Sequence, residues 1–249
     1  RPVRGLLVVV GGVELARAEE QAARWADGWG GEAAPEGGLR AALPEVPDAP
    51  ALGEVREHRV LLADKIQSDI ALGFPAIRRT DPRFHAAALL NSILGQFAMG
   101  GRLGRSVREE QGMAYYTYSS LDASVGPGPL LVRAGVAPGN VERAVASIRD
   151  ELRRIRESPV TAQELDDARS ATVRSAPRSR EGNEGMARRL HRLERIDLGL
   201  DYLDRFASAF ESVTVEQVHE VARSLIDPDR YALTVAGPQV ASPQSAVDS

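Results

Sequence analysis

Between residues 30 and 53 the periodic patterning of this sequence stops. Pro35, Pro44, Pro47 and Pro50 fall among Gly, Ala and Glu, a composition with little capacity for helix or strand. This linker divides the 249 residues into a short front piece and a long back piece. With 43% hydrophobic residues, the chain can build one good core, or one domain plus a fragment.

In the front piece, Leu6 to Val10 is a short apolar run ended by Gly11-Gly12 and reads as a buried strand. Residues 14–29 read as a helix with Leu15, Ala18, Ala22, Trp25 and Trp29 on one face. In the back piece, residues 55–63 and 66–74 pattern as strands, the second with Ile66, Ser68, Ile70, Leu72 and Phe74 on one face. Asp81-Pro82 predicts a helix start, Asp as N-cap and Pro at the first helical position, running to about Phe97 and broken at Gly100-Gly101. A shorter helix is expected over 103–110, stopped at Gly112. Strands follow at 114–121 and 130–136, joined by the Gly126-Pro127-Gly128-Pro129 turn. Asn140 is the expected cap of a helix whose face is Val141, Ala144, Val145, Ile148, Leu152 and Ile155. Thr161–Glu164 and Thr214–Gln217 read as capping boxes. Pro177 ends or kinks the helix opened at Thr161, and helices are expected at 188–198 and 202–210. A last strand covers 231–236, and 241–249 is expected to be a flexible tail.

Several functions are excluded by composition. The chain has no cysteine, so disulfides, thiolate nucleophiles and cysteine metal sites are out. Lys65 is the one lysine, and no glycine-rich loop precedes it, which argues against Schiff-base and phosphate-loop chemistry. The net charge of -4, with both signs interspersed, does not suggest a nucleic-acid partner. No run of eighteen apolar residues predicts a membrane span. No leader is visible and the sequence begins at Arg1, so the compartment is open, with the cytoplasm as the default expectation.

The segment from Arg4 to Gly11 aligns with Arg230 to Gly237, with Arg, Leu, Val and Gly at the same offsets. Buried strands ending in Gly are common, so chance explains the match as readily as homology. The alternative is that residues 1–30 are the strand–helix remnant of a preceding homologous domain, 31–54 a linker, and 55–240 one complete domain. Such a remnant would expose an apolar face, and self-association through it is expected.

Residues 101–116, Gly-Arg-Leu-Gly-Arg-Ser-Val-Arg-Glu-Glu-Gln-Gly-Met-Ala-Tyr-Tyr, are the most specific part of the chain. They resemble the second-domain signature of the pitrilysin/insulinase-type zinc metallopeptidases, which include mitochondrial processing peptidase. That signature reads R-L-x-x-x-x-R-E-x-x-G-x-A-Y, and each fixed position is present. The strand at 66–75 before it and the Asp227-Pro228-Asp229-Arg230 strand entry after it agree. The resemblance implies an α+β fold, a sheet backed by helices, in which two pseudo-symmetric domains form half of a clamshell. It identifies this chain with the C-terminal, inactive domain. It implies no cofactor in this chain and zinc in a homologous partner domain or subunit.

Arg108 lies near a helix end and Tyr115 opens the next strand, so their side chains can converge. Guanidinium and phenol both donate hydrogen bonds and suit the carbonyl oxygens of a bound peptide. The resemblance assigns Tyr115 to the scissile carbonyl and its developing oxyanion, and Arg108 to a carbonyl nearby. The alternative is that Arg108 pairs with Glu109 or Glu110 and Tyr115 is core. Tyr116 and Tyr118 fall on the opposite strand face and read as packing.

The family's zinc motif is H-x-x-E-H. His191 to Arg195 has the inverted spacing and His219 to Arg223 the ordinary one, but each ends in Arg, which has no lone pair to give a metal. Neither His58 nor His85 has a second histidine at ligand spacing. On this reading the chain alone hydrolyses nothing and serves a peptidase whose zinc lies elsewhere. A non-enzymatic structural subunit of the same family is the alternative.

Overall fold

The computed structural model describes residues 6–27, 46–96, 101–109, 112–175 and 182–238. Period-two burial fixes its central layer. In β2 (Ser68–Pro75), Ile70, Leu72 and Phe74 are buried. In β4 (Pro129–Val136), Leu130, Val132, Ala134 and Val136 are buried on the same face, because the antiparallel register sets Ile70 opposite Ala134 and Leu72 opposite Val132. β3 (Ala114–Leu121) is antiparallel to β4, and β5 (Ala232–Gly237) is antiparallel to β2. β1 (Arg56–Leu61) joins β5 in parallel. The order is β1-β5-β2-β4-β3, which leaves β1 and β3 as edges.

Helices back the apolar face. α2 (Phe84–Asn91), α3 (Val141–Glu157) and α7 (Val215–Leu225) send Leu89, Leu90, Ile148, Leu152, Val218 and Ala222 into one cluster with the sheet residues. Each fully buried aliphatic side chain there contributes roughly 1.5–3 kcal/mol relative to exposure. α4 (Ala162–Ser175), α5 (Gly182–Ile196) and α6 (Tyr202–Glu211) complete the helical layer. The other sheet face carries Asp69, Tyr116, Tyr118, Arg133 and Thr234, half-buried or exposed. This is an α+β fold, a mixed sheet backed by helices.

Both capping boxes form. The Thr161 N–H donates to Glu164 Oε2 at 2.8 Å and the Glu164 N–H to Thr161 Oγ1 at 3.2 Å. Thr214 and Gln217 satisfy each other in the same way at the start of α7. A second device ties α6 to the β2–α2 connection. The Arg79 guanidinium lies 3.6 Å from the Phe84 ring centroid and donates to the Tyr202 hydroxyl at 2.5 Å. That hydroxyl also lies 3.0 Å from His85 Nε2. Burial, then the Arg79 and Arg205 charges, push His85 down to about 4, so the ring is neutral at neutral pH.

Four local expectations are corrected. Residues 6–10 form no strand and pair with none among the described residues, and all five are half-buried or exposed, so no buried strand forms there. Burial needs a paired sheet edge, and no described strand pairs with them. α2 begins at Phe84, two residues after Pro82; Asp81 Oδ1 instead accepts the Arg83 N–H at 2.8 Å, outside the helix. Asn140 makes no side-chain cap to α3, because a 3₁₀ turn, Pro138–Asn140, leads into that helix. Ile66 is 92% exposed, since β2 starts only at Ser68. Gly100, Pro177 and the tail from 241 onward lie outside the described residues.

Candidate functional site

The signature segment enters from a fixed point. Arg102 donates from Nε to Glu164 Oε1 at 2.8 Å and from Nη2 to Glu164 Oε2 at 3.0 Å, and its Nη1 lies 3.8 Å from the buried Glu151. This bidentate pair holds the Glu164 carboxyl down at about 2. Leu103 and Val107 are fully buried. They seat the following π-helical turn, Gly104–Glu109, against the core. Arg102 and Leu103 therefore anchor the segment to the fold and are not free for a ligand.

Gly112 has a φ of +60°, a left-handed conformation that glycine adopts without strain. Beyond it the Met113 N–H returns to the Val107 carbonyl at 3.3 Å and the Met113 side chain is buried. β3 then opens with a bulge. Ala114 pairs with Val136 and Tyr116 with Gly135, so two steps on β3 oppose one on β4 and Tyr115 is the extra residue. Regular alternation would place Tyr115 on the face of Thr117 and Ser119, both 1% exposed. The bulge instead seats small Ala114 on that face and leaves Tyr115 65% exposed. The alternative in which Tyr115 is core is thereby excluded.

Arg108 occupies the π-helical turn six residues after Arg102. Its side chain, with Glu109 and Glu110, lies outside the described residues. Tyr116 and Tyr118 share the open face, ring centroids 5.9 Å apart. The Tyr116 hydroxyl donates to Asp69 Oδ1 at 2.8 Å. Burial and that carboxylate raise the Tyr116 phenol to about 12. Asp69 also accepts from Lys65 at 2.6 Å and Gln67 at 2.8 Å, and Lys65 chiefly holds its carboxyl below the usual range. Sequence patterning missed both the bulge and this network. Its one trace in the sequence is Gly135, opposite the bulge.

The histidines do not converge. His58 is exposed on the β1 edge and His191 on α5, and His85 belongs to the aromatic cluster. His219 Nε2 lies 2.9 Å from the Arg156 carbonyl. No three His, Asp or Glu side chains among the described residues are grouped as metal ligands. With Arg195 and Arg223 at the positions where a second histidine would stand, the residues do not fit zinc.

The family model described as Peptidase M16 inactive domain matches residues 1–172, and the chain belongs to that family. An uncharacterized zinc protease of Streptomyces coelicolor is 32% identical over 172 residues, 69% of this chain and 37% of that protein. One from Bacillus subtilis is 27% identical over 172 residues, 69% of this chain and 42% of that protein. The chain thus spans about two-fifths of the length of these curated relatives. Among solved structures, a peptidase M16 inactive domain from Pseudomonas fluorescens superposes with a TM-score of 0.77 at 26% identity, covering 92% of this chain and 52% of that one. A protease from Helicobacter pylori has the same fold, with a TM-score of 0.77 at 16% identity over 92% of this chain and 54% of that one. Among the described residues no helix is long and apolar enough to cross a membrane.

Proposed function

We propose that this chain is the substrate-binding, non-catalytic part of a zinc-dependent peptidase, whose zinc site is supplied by a homologous domain or subunit. The observation that carries this reading is the presentation of Tyr115. A phenol on a bulged edge strand, set between buried Ala114 and half-buried Tyr116 and itself 65% exposed, is available to a ligand. Bulges re-aim side chains in this way at the rims of sites.

In this reading the Tyr115 hydroxyl donates to the scissile carbonyl oxygen and strengthens that bond as negative charge develops there. Arg108 donates to a neighbouring carbonyl of the bound peptide and fixes its register. Both roles are donor roles, and neither requires a proton to leave the chain. Residues 1–30 belong, in the same reading, to a preceding homologous domain, 31–54 to a linker, and 55–240 to the inactive domain. The front piece leaves Leu7, Val9, Val13, Leu15 and Trp25 exposed, and none of the residues of α1 (Leu15–Ala26) is buried. An apolar surface of that kind fits contact with a further domain.

The test is peptide affinity in the complete assembly, with hydrolysis halted by a zinc chelator. Arg108→Ala weakens binding of a labelled peptide substrate by about tenfold or more, the loss expected for one charged hydrogen bond. Unchanged affinity in a folded variant assigns Arg108 to the scaffold and favours a structural subunit.

A further inference from the structure

The bulge that exposes Tyr115 needs a register lock, because a slip of one residue turns every following side chain to the other face. The core side of that lock is apparent: Ala114 and Thr117 are buried three residues apart, which only the bulge permits. On the open face the next residue, Tyr116, reaches across a whole strand. Its ring lies against Gly135 of β4, where a Cβ would overlap both that ring and the Gln67 amide. Its hydroxyl ends on Asp69 of β2, the strand beyond β4. Asp69 is itself held from two other directions by Lys65 and Gln67. The phenol thus bridges three strands at the one position where β3 departs from regular pairing.

We infer that Tyr116 and Asp69 are positioning residues: their hydrogen bond across Gly135 fixes the bulge register and so aims Tyr115 at its ligand. This rests on the reading of Tyr115 as a substrate donor. Neither residue touches the substrate in this account. They act by restricting where the adjacent side chain can go, as misplacement of a donor costs rate without loss of fold.

A double-mutant cycle in the complete zinc-bearing enzyme tests it, using Tyr115→Phe, Tyr116→Phe and the double variant. Tyr116→Phe keeps the ring and removes one hydrogen bond. It lowers kcat by about two- to tenfold, the worth of one such bond, with KM and Tm near those of the parent. In the Tyr115→Phe background it lowers kcat no further. Asp69→Ala behaves like Tyr116→Phe, whereas Asp69→Asn, whose amide oxygen still accepts the phenol O–H, restores activity. On the purified chain, amide hydrogen exchange over residues 114–117 rises in Tyr116→Phe and Asp69→Ala and returns to the parent rate in Asp69→Asn. A damaging Tyr115→Phe together with a silent or strictly additive Tyr116→Phe overturns the positioning role alone. A silent Tyr115→Phe overturns the donor reading and this inference with it.

Discussion

Residue by residue, the signature divides into groups that hold and groups that project. Arg102 is committed to Glu164 and Glu151, Leu103 is in the core, and Gly112 supplies a positive φ. Ala114 is small enough to sit at the inner side of the bulge, and Tyr115 stands out. Another residue with a defined electrostatic state is His85, kept neutral to about pH 4 by burial and by the Arg79 and Arg205 charges. Its ordinary value is 6.5, so between about pH 6.5 and 4 the unfolded chain takes up a proton that the folded chain refuses. The contribution is therefore present above pH 6.5 and is lost as pH falls toward 4. One proton gives at most about 1.4 kcal/mol per pH unit, and solvent screening of the half-buried ring makes the slope shallower. Denaturant melts from pH 7 to 4 show this loss, and His85→Gln flattens it. An identical pH slope in the variant assigns the acid lability to other groups.

At the scale of elements, sequence patterning located most of the architecture and missed the feature that matters for the site. The β3 span and the buried face of α3 were legible because period-two and period-3.6 burial are local signals. So were both capping boxes, whose partners are three residues apart. The proposed roles of Arg108 and Tyr115 rest on the motif, which patterning alone does not supply. The bulge was not legible, because it depends on how β3 meets β4, and neither strand's own alternation records an extra residue. The buried strand expected at 6–10 failed for a related reason: an apolar run states that it wants a partner, not that one is present. Anchoring of the signature segment is likewise a contact between distant elements, Arg102 with Glu164 of α4. Glu164→Gln leaves that half-buried guanidinium with a weaker acceptor and costs about 1–3 kcal/mol of stability. The matching local readout is faster amide exchange over residues 101–109, with α7 unaffected. Uniform loosening of both regions would assign Glu164 to global stability instead of to the segment.

For the whole molecule, the sheet and its helical layer contrast with a front piece in which none of the described residues, 6–27, is buried. α1 is amphipathic in sequence, yet Leu15 and Trp25 are 73% and 61% exposed. In isolation the chain is expected to self-associate through this face, and sedimentation velocity shows a concentration-dependent shift that Leu15→Glu with Trp25→Glu abolishes. A chain that stays monomeric at high concentration shows that the face needs no cover. In the proposed role, Tyr115 gives its hydroxyl to the reacting carbonyl of a peptide. The most direct measurement is steady-state hydrolysis by the complete zinc-bearing enzyme carrying Tyr115→Phe, beside a thermal melt of the same protein. The expected result is a loss of turnover of roughly ten- to a thousandfold with an unchanged Tm, since the ring is exposed and its packing is retained. Turnover equal to that of the parent would contradict it.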